Sequence, residues 1–147
     1  MSKGSNRSWG ITVLRVAVGI VFLMHGIQKL FSIGVPGVEG FMGALGIPFP
    51  RFFGVVLTLV ELFGGAALIF GVATRLTALM LAVDMLVAII KVHLKNGFFM
   101  PNGFEFTLTL LAANLCLLLA GAGAASVDGA LWGEKRETSA DPVKRQV

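Results

Sequence analysis

Four long apolar stretches alternate with short polar or glycine-rich segments along the chain. They cover residues 9–31, 51–71, 75–94 and 104–122. Each is close to the roughly 20 mainly apolar residues that a helix needs to cross a bilayer. The pattern predicts an all-α integral membrane protein, a four-helix transmembrane bundle within residues 9–126. A polar segment, residues 1–8, precedes the bundle, and we expect the charged tail, residues 127–147, to be cytoplasmic and mostly disordered.

The two halves of the chain share a pattern of polar positions. The first and third predicted helices each have a basic residue near both ends. In the second and fourth, a polar residue stands ten positions after the residue at the beginning of the helix. The matching positions are Arg15 and Lys29, Arg75 and Lys91, Arg51 and Glu61, and Phe104 and Asn114. Two helical hairpins in parallel repeat produce such a pattern. The ordinary ends of four membrane helices produce it as well, so both interpretations stay open. Between the first two helices, residues 38–45 favour a short helix at the membrane surface or dipping into it.

Composition agrees with a single membrane domain. Of 147 residues, 56% are hydrophobic and 14% charged, and the mean hydropathy is +0.86. Soluble domains have about 25% charged residues. The net charge of +4 does not indicate nucleic-acid binding, because the basic residues are spread along segment ends without an aromatic-rich patch. Cys116 is the one cysteine, so the chain forms no internal disulfide; we expect it to be buried.

The distribution of lysine and arginine predicts the orientation, because cytoplasmic loops of membrane proteins are enriched in these residues. One side holds Lys3, Arg7, Arg75, Lys135, Arg136, Lys144 and Arg145. The other holds Arg51 and Lys95, with Lys29 and Lys91 added if their side chains reach outward. We therefore predict that both termini are cytoplasmic. We also expect association, with a homodimer as the default, through the close-packing glycines Gly64, Gly65, Gly71 and the small residues 121–125.

A first polar set lies deep within the predicted helices. It consists of Arg15, Glu61, Asp84 and Asn114. A charge near the centre of a membrane helix costs about 2.5–3.5 kcal/mol on insertion scales, so such residues turn toward each other. We predict that Arg15 pairs with Asp84, Glu61 or both, and that Asn114 adds hydrogen bonds. This buried network either fixes the helix register or holds protons or a polar head group.

A second polar set lies toward the predicted outer face. Its members are His25, Gln28, Lys29, Lys91, His93 and Glu105. Lysine and imidazole both donate hydrogen bonds to oxygen atoms. We therefore predict an outer-half pocket between helices that takes an anionic or carbonyl-bearing ligand. The lysines would repel a metal ion, and the histidines show no close-spaced ligand pair, so no metal or haem site is predicted.

Three motifs together resemble the DoxX family of small four-helix membrane proteins. They are LRVAVGIVFLMHGIQKLF over residues 14–31, VELFGG over residues 60–65, and KVHLKNGFF over residues 91–99, which Glu105 follows. The similarity covers residues 9–121. It implies a multi-pass protein of the bacterial inner (cytoplasmic) membrane, linked to quinone-dependent redox systems. Family members include a subunit of an archaeal thiosulfate:quinone oxidoreductase and a membrane complex that handles oxidative and thiol stress.

The resemblance and the polar residues lead to one functional prediction with two alternatives. We predict a membrane subunit of a quinone-linked redox or oxidative-stress system that binds a quinone-like or small anionic ligand. The sequence has no intrinsic redox cofactor site, so a soluble oxidoreductase partner would hold the redox centre. The first alternative is a small transporter or proton permeation unit that uses the buried ionisable set. The second is a non-catalytic scaffold that recruits a soluble enzyme through its tail.

Overall fold

The computed structural model describes residues 3–131, and all regular structure within this range is helical. The main α-helices are α1 (Lys3–Ile27), α2 (Gly34–Ala44), α3 (Pro50–Phe70), α4 (Thr74–Ala88) and α5 (Glu105–Ala120). Wider π-helical turns, Gln28–Ile33 and Ile89–His93, follow α1 and α4. Residues 127–131 are also helical, although the tail was predicted to begin at residue 127. The rest of that predicted tail, residues 132–147, lies outside the described residues.

Three helical stretches are long and apolar enough to cross a membrane. They are Asn6–Ala44, Pro50–Phe70 and Thr74–Asn96. Helix α5 is apolar but has 16 residues, fewer than the roughly 20 of a typical spanning helix. The prediction of an all-helical membrane protein is thus confirmed, while the fourth crossing and the internal repeat stay predictions.

The helices pack in a closed cycle. Helix α1 contacts α3 most extensively, α4 contacts α5, and the α3–α4 and α1–α5 contacts complete the cycle. The fully buried core between them is formed by Phe22, Leu68, Leu81 and Leu117. Large apolar side chains such as Phe63 are exposed on the outside, as a lipid-facing surface requires. Cys116 lies on the outer face of α5 and is also exposed. The prediction that it is buried is therefore wrong.

Glycines bring α1 and α3 into close contact. A Cβ atom added at Gly26 would lie 2.5 Å from the backbone nitrogen of Leu62, and one at Gly19 would lie 2.8 Å from the carbonyl oxygen of Gly65. Neither position has room for a side chain. Gly64 packs against α4, and Gly71 faces Arg15 and Ser126. The glycines proposed for dimer contacts are therefore used within one chain, and the homodimer stays a prediction without their support.

The short helix α2 folds back onto the beginning of α3. Gly34, with a φ of +72°, interrupts the helical path after the first π-helical turn. Val38 and Met42 are buried, and a methyl carbon of Val38 lies 3.1 Å from the position of a Cβ at Gly54. The short helix predicted at residues 38–45 thus begins earlier, and it is held by packing against α3.

Candidate functional site

Lys29 and Glu61 form an ion pair between α1 and α3. Lys29 lies in the π-helical turn that follows α1, and Glu61 lies near the middle of α3. The Lys29 Nζ and Glu61 Oε2 atoms are 2.5 Å apart, and the side chains are 19% and 4% exposed. Gly26 is three residues before Lys29, and its contact with Leu62 brings the two helices close at this level. The lysine thereby reaches a buried carboxylate.

Asp84 of α4 adds a second carboxyl group to this pair. Its carboxyl lies within hydrogen-bonding reach of that of Glu61, and Lys29 is the other charged group acting on it. The Asp84 Oδ2 atom is buried and has no hydrogen-bond partner within residues 3–131. One turn away on each helix, Gly64 faces Leu81: a Cβ atom added at Gly64 would lie 3.4 Å from a methyl carbon of Leu81. This contact sets the register that places the two carboxyl groups side by side.

His25 completes a group that we call the central cluster: His25, Lys29, Glu61 and Asp84. The imidazole is half-buried, and Lys29 and Glu61 are the charged groups that act on it. It is four residues before Lys29 and therefore shares a helix face with it. The central cluster thus joins three helices and contains two carboxyl groups, one lysine and one imidazole.

Arg15 does not join the central cluster, and the predicted pairing of Arg15 with Glu61 or Asp84 is wrong. Its side chain is 1% exposed, and its Nη2 atom donates to the carbonyl oxygen of Ala125 at 2.5 Å. Arg15 is 14 residues before Lys29, which corresponds to about 21 Å along a helix. The segment that follows α5 covers this end of the bundle, so a backbone carbonyl reaches the guanidinium group there.

Arg15 belongs to a second group, the end cluster, which we define as Thr12, Arg15, Thr74 and Asp128. The Asp128 carboxylate accepts hydrogen bonds from the backbone N–H groups of Ala73 (2.7 Å) and Thr74 (2.8 Å) at the beginning of α4. A carboxylate at a helix N-terminus is stabilising. The Thr12 hydroxyl oxygen accepts from the N–H of Ala124 at 3.0 Å. These contacts tie the segment after α5 to the beginnings of α1 and α4.

Asp128 was not among the predicted site residues, because it falls in the segment predicted as a disordered tail. One signal was present. Serine is a preferred residue just before a helix, and the Ser126 hydroxyl accepts a hydrogen bond from the N–H of Gly129 at 3.0 Å. Residues 127–131 form the short helix that this serine begins, and Asp128 lies in its first turn.

Asn114 remains apart from both clusters. It is fully buried in α5, and its Nδ2 atom donates to the carbonyl oxygen of Leu110 in the same helix at 2.9 Å. The Oδ1 atom has no partner in the described part of the chain. Asn114 therefore forms its hydrogen bond within α5 and not with the charged side chains that it was predicted to join.

The six residues predicted to line an outer pocket do not lie together. His25 and Lys29 lie in the central cluster, whereas the His93 Nδ1 atom donates to the carbonyl oxygen of Asn102 at 2.9 Å. The Glu105 carboxylate accepts from the N–H of Met100 at 2.7 Å. His93 and Glu105 thus hold the loop between α4 and α5. Gln28 and Lys91 are exposed. Ligand binding by any of the six stays a prediction.

An open groove of about 490 Å³ lies elsewhere, at the beginning of α3. It is lined by Glu39, Phe49, Pro50, Arg51, Phe52 and Val55, and so by none of the predicted ligand residues. Within residues 3–131, no three His, Cys, Asp or Glu side chains are grouped to hold a metal ion.

Comparison with known proteins identifies relatives of this chain. The DoxX family model matches residues 10–94. The "Putative oxidoreductase CatD" of Bacillus subtilis is 37% identical over 108 residues, which cover 74% of this chain and 78% of that protein. The "Uncharacterized membrane protein Rv3486" of Mycobacterium tuberculosis is 33% identical over 140 residues, 88% of this chain and 84% of that protein.

A further relative is the "Inner membrane protein YqjF" of Escherichia coli, 33% identical over 125 residues, which cover 81% of this chain and 89% of that protein. No solved structure matches the chain. Two of these relatives are named as membrane proteins, in agreement with the apolar helices described above. The family match spans more than half of the residues and confirms the resemblance found in the motifs, so the chain belongs to the DoxX family.

Proposed function

We propose that the protein is a membrane subunit of a quinone-linked redox or oxidative-stress system and that its central cluster contacts a quinone-like or small anionic ligand. Two facts support a redox role. The chain belongs to the DoxX family, and one relative is named a putative oxidoreductase. The redox centre itself would be held by a soluble partner, because the central cluster supplies acids, a base and a cation but no redox group.

The observation that carries the proposal is the position of Lys29. Its ammonium group has three N–H donors, and Glu61 accepts from one of them. The Lys29 side chain is 19% exposed, against 4% for Glu61, so the ammonium is the more accessible side of the pair. An oxygen atom of a carbonyl or an anion would accept the remaining hydrogen bonds. His25, on the same helix face, provides a further donor.

The test is a binding titration with a short-chain quinone and protein in lipid nanodiscs. Removing Lys29 alone would leave Glu61 buried without its partner, so the informative variant is the double substitution Lys29→Met and Glu61→Gln, which removes both charges. Hydrogen bonds to charged groups contribute about 1.5–3 kcal/mol, so we expect roughly 10- to 100-fold weaker binding. Lys95→Met is the matched control, because Lys95 is exposed and does not belong to the predicted ligand residues. Absence of saturable binding to the wild type, or unchanged binding to the double variant, would contradict the proposal.

We also propose that α5 is the fourth membrane crossing and that both termini are cytoplasmic. Helix α5 packs against α4 and α1, and its sequence between Glu105 and the C-terminal end is apolar. The pairing of Lys29 with Glu61 supports the orientation, because the Lys29 side chain lies inside the bundle and does not reach the outer surface. The outer side therefore has one lysine fewer than the largest number counted from the sequence. Fusions of a fluorescent protein and of a periplasmic phosphatase to the C-terminus test it. Fluorescence without phosphatase activity is expected, and the reverse result would refute the orientation.

A further inference from the structure

The central cluster contains one more carboxyl group than it has lysines. Lys29 pairs with Glu61, and Asp84 contributes a second carboxyl group within hydrogen-bonding reach of the first. No donor approaches the buried Asp84 Oδ2 atom anywhere in the described range. With every group ionised and the imidazole neutral, the cluster would carry one net negative charge inside an apolar bundle.

A shared proton removes this charge. Two carboxylates side by side repel each other, and an unpaired buried charge costs several kcal/mol. If one carboxyl group keeps its proton, it donates a hydrogen bond to the other, and the pair then carries the single negative charge that Lys29 balances. A pair that only fixed the helix register would need Lys29 and Glu61 but not Asp84.

The charged groups near the carboxyl pair come from one further part of the chain. Glu61 and Asp84 belong to α3 and α4, while His25 and Lys29 come from α1 and the turn after it. In helix α5, which packs against α4, the buried Asn114 is uncharged and forms its hydrogen bond within its own helix. The charge balance of the site is therefore set by two carboxyl groups, one lysine and one imidazole.

We infer that Glu61 and Asp84 together hold one exchangeable proton within the membrane. The proton is taken up and released as H⁺ at a carboxyl oxygen, and no electron is transferred. The inference goes beyond the proposed function, because the proton is held with or without a quinone-like ligand. It identifies a second activity of the same cluster, the binding and release of protons.

The experiment is infrared spectroscopy of the full chain in nanodiscs while the pH is raised from neutral to alkaline. We expect a carbonyl band from one protonated carboxyl group, which moves to lower frequency in D₂O and disappears at alkaline pH. Asp84→Asn and Glu61→Gln should each abolish the band, because the remaining carboxylate is then neutralised by Lys29. Glu39→Gln is the control, since Glu39 lies on α2, at the groove, and should leave the band unchanged.

Each outcome decides the inference. A wild-type protein without a protonated carboxyl band at neutral pH overturns it, and so does a band that survives in both single variants. Should those variants fail to fold, Lys29→Met provides a second measurement: without the cation, the pair should take up a second proton and the band area should double. An unchanged area refutes the inference. A wild-type protein that shows the carboxyl band but no saturable quinone binding would contradict the proposed ligand without contradicting the proton site.

Discussion

The central cluster and the end cluster both bury charged side chains, but they satisfy them in different ways. In the end cluster, Arg15 donates to a backbone carbonyl and Asp128 accepts from two backbone N–H groups. In the central cluster, the contacts run between side chains: Lys29 pairs with Glu61, and Asp84 adds a second carboxyl group beside that pair. Buried atoms without a partner among the described residues occur in both clusters: Asp84 Oδ2 in the central cluster, and Arg15 Nε, Arg15 Nη1 and Thr74 Oγ1 in the end cluster. Contacts to backbone are what a tie between chain segments requires. Two carboxyl groups beside one lysine have no such structural use, so the comparison points to the central cluster as the functional one.

The largest effect is expected from breaking the ion pair of the central cluster. Lys29→Met leaves the buried carboxyl groups of Glu61 and Asp84 without their cation, and removing one member of a buried pair costs about 3–5 kcal/mol. The double variant, Lys29→Met with Glu61→Gln, should be much closer to the wild type in stability. Denaturant unfolding of the purified protein in detergent measures both. Equal loss in the single and double variants would show that the pair does not act as a unit.

The next effect comes from the glycine that makes the pair possible. A Cβ at Gly26 would meet the backbone of Leu62, so Gly26→Ala must push α1 away from α3 and should cost about 1–3 kcal/mol. Gly10 is also in α1 but has no atom within 4 Å of an added Cβ, so Gly10→Ala is the matched control. It should leave stability unchanged or raise it by up to about 1 kcal/mol. Similar unfolding curves for the two variants would contradict this account of the α1–α3 contact.

A smaller effect is expected in the end cluster. Asp128→Ala removes the carboxylate that accepts from the first N–H groups of α4, and the loss of such a cap costs about 0.5–2 kcal/mol. Limited proteolysis should cut the segment after α5 sooner in this variant than in the wild type. Ligand binding should not change, since the end cluster is far from Lys29. A binding defect as large as that of the central variants would erase the distinction between the two clusters.

The smallest effect is expected at Lys91, which corresponds to Lys29 in the predicted repeat. Lys91 is exposed, while Lys29 is paired with a buried carboxylate. Lys91→Met should change the free energy of unfolding by no more than about 0.5 kcal/mol, as is usual for surface substitutions. Thermal unfolding of the purified protein checks this. A loss comparable to that of Lys29→Met would mean that Lys91 has a buried partner.

Sequence patterns predicted the helices well but predicted the partners of the charged side chains poorly. The apolar stretches located α1, α3, α4 and α5, because hydrophobicity along the chain is a local property. The partner of Lys29 depends on which residues of separate helices reach the same depth, and this is set by close contacts at Gly26 and Gly64. The partner of Arg15 is a backbone carbonyl. No side-chain pattern reports such an acceptor, so a pairing of charge with charge was the natural but wrong prediction.

The same reasoning explains why the outer pocket was predicted as one site. His25 and His93 are the two histidines of the chain and fall at comparable positions in their helices. The bonds that separate them involve the backbone of Met100 and Asn102, in a loop whose path the sequence does not specify. Side-chain chemistry alone therefore grouped residues that the loop conformation divides.

The most direct test of the difference between the clusters is quinone titration of two variants side by side in the same nanodisc preparation. One is the double variant at Lys29 and Glu61, and the other is Asp128→Ala. We predict that the first binds roughly 10- to 100-fold more weakly than the wild type and that the second binds as the wild type does. Equal binding by both variants, or a loss confined to Asp128→Ala, would contradict the assignment of function to the central cluster.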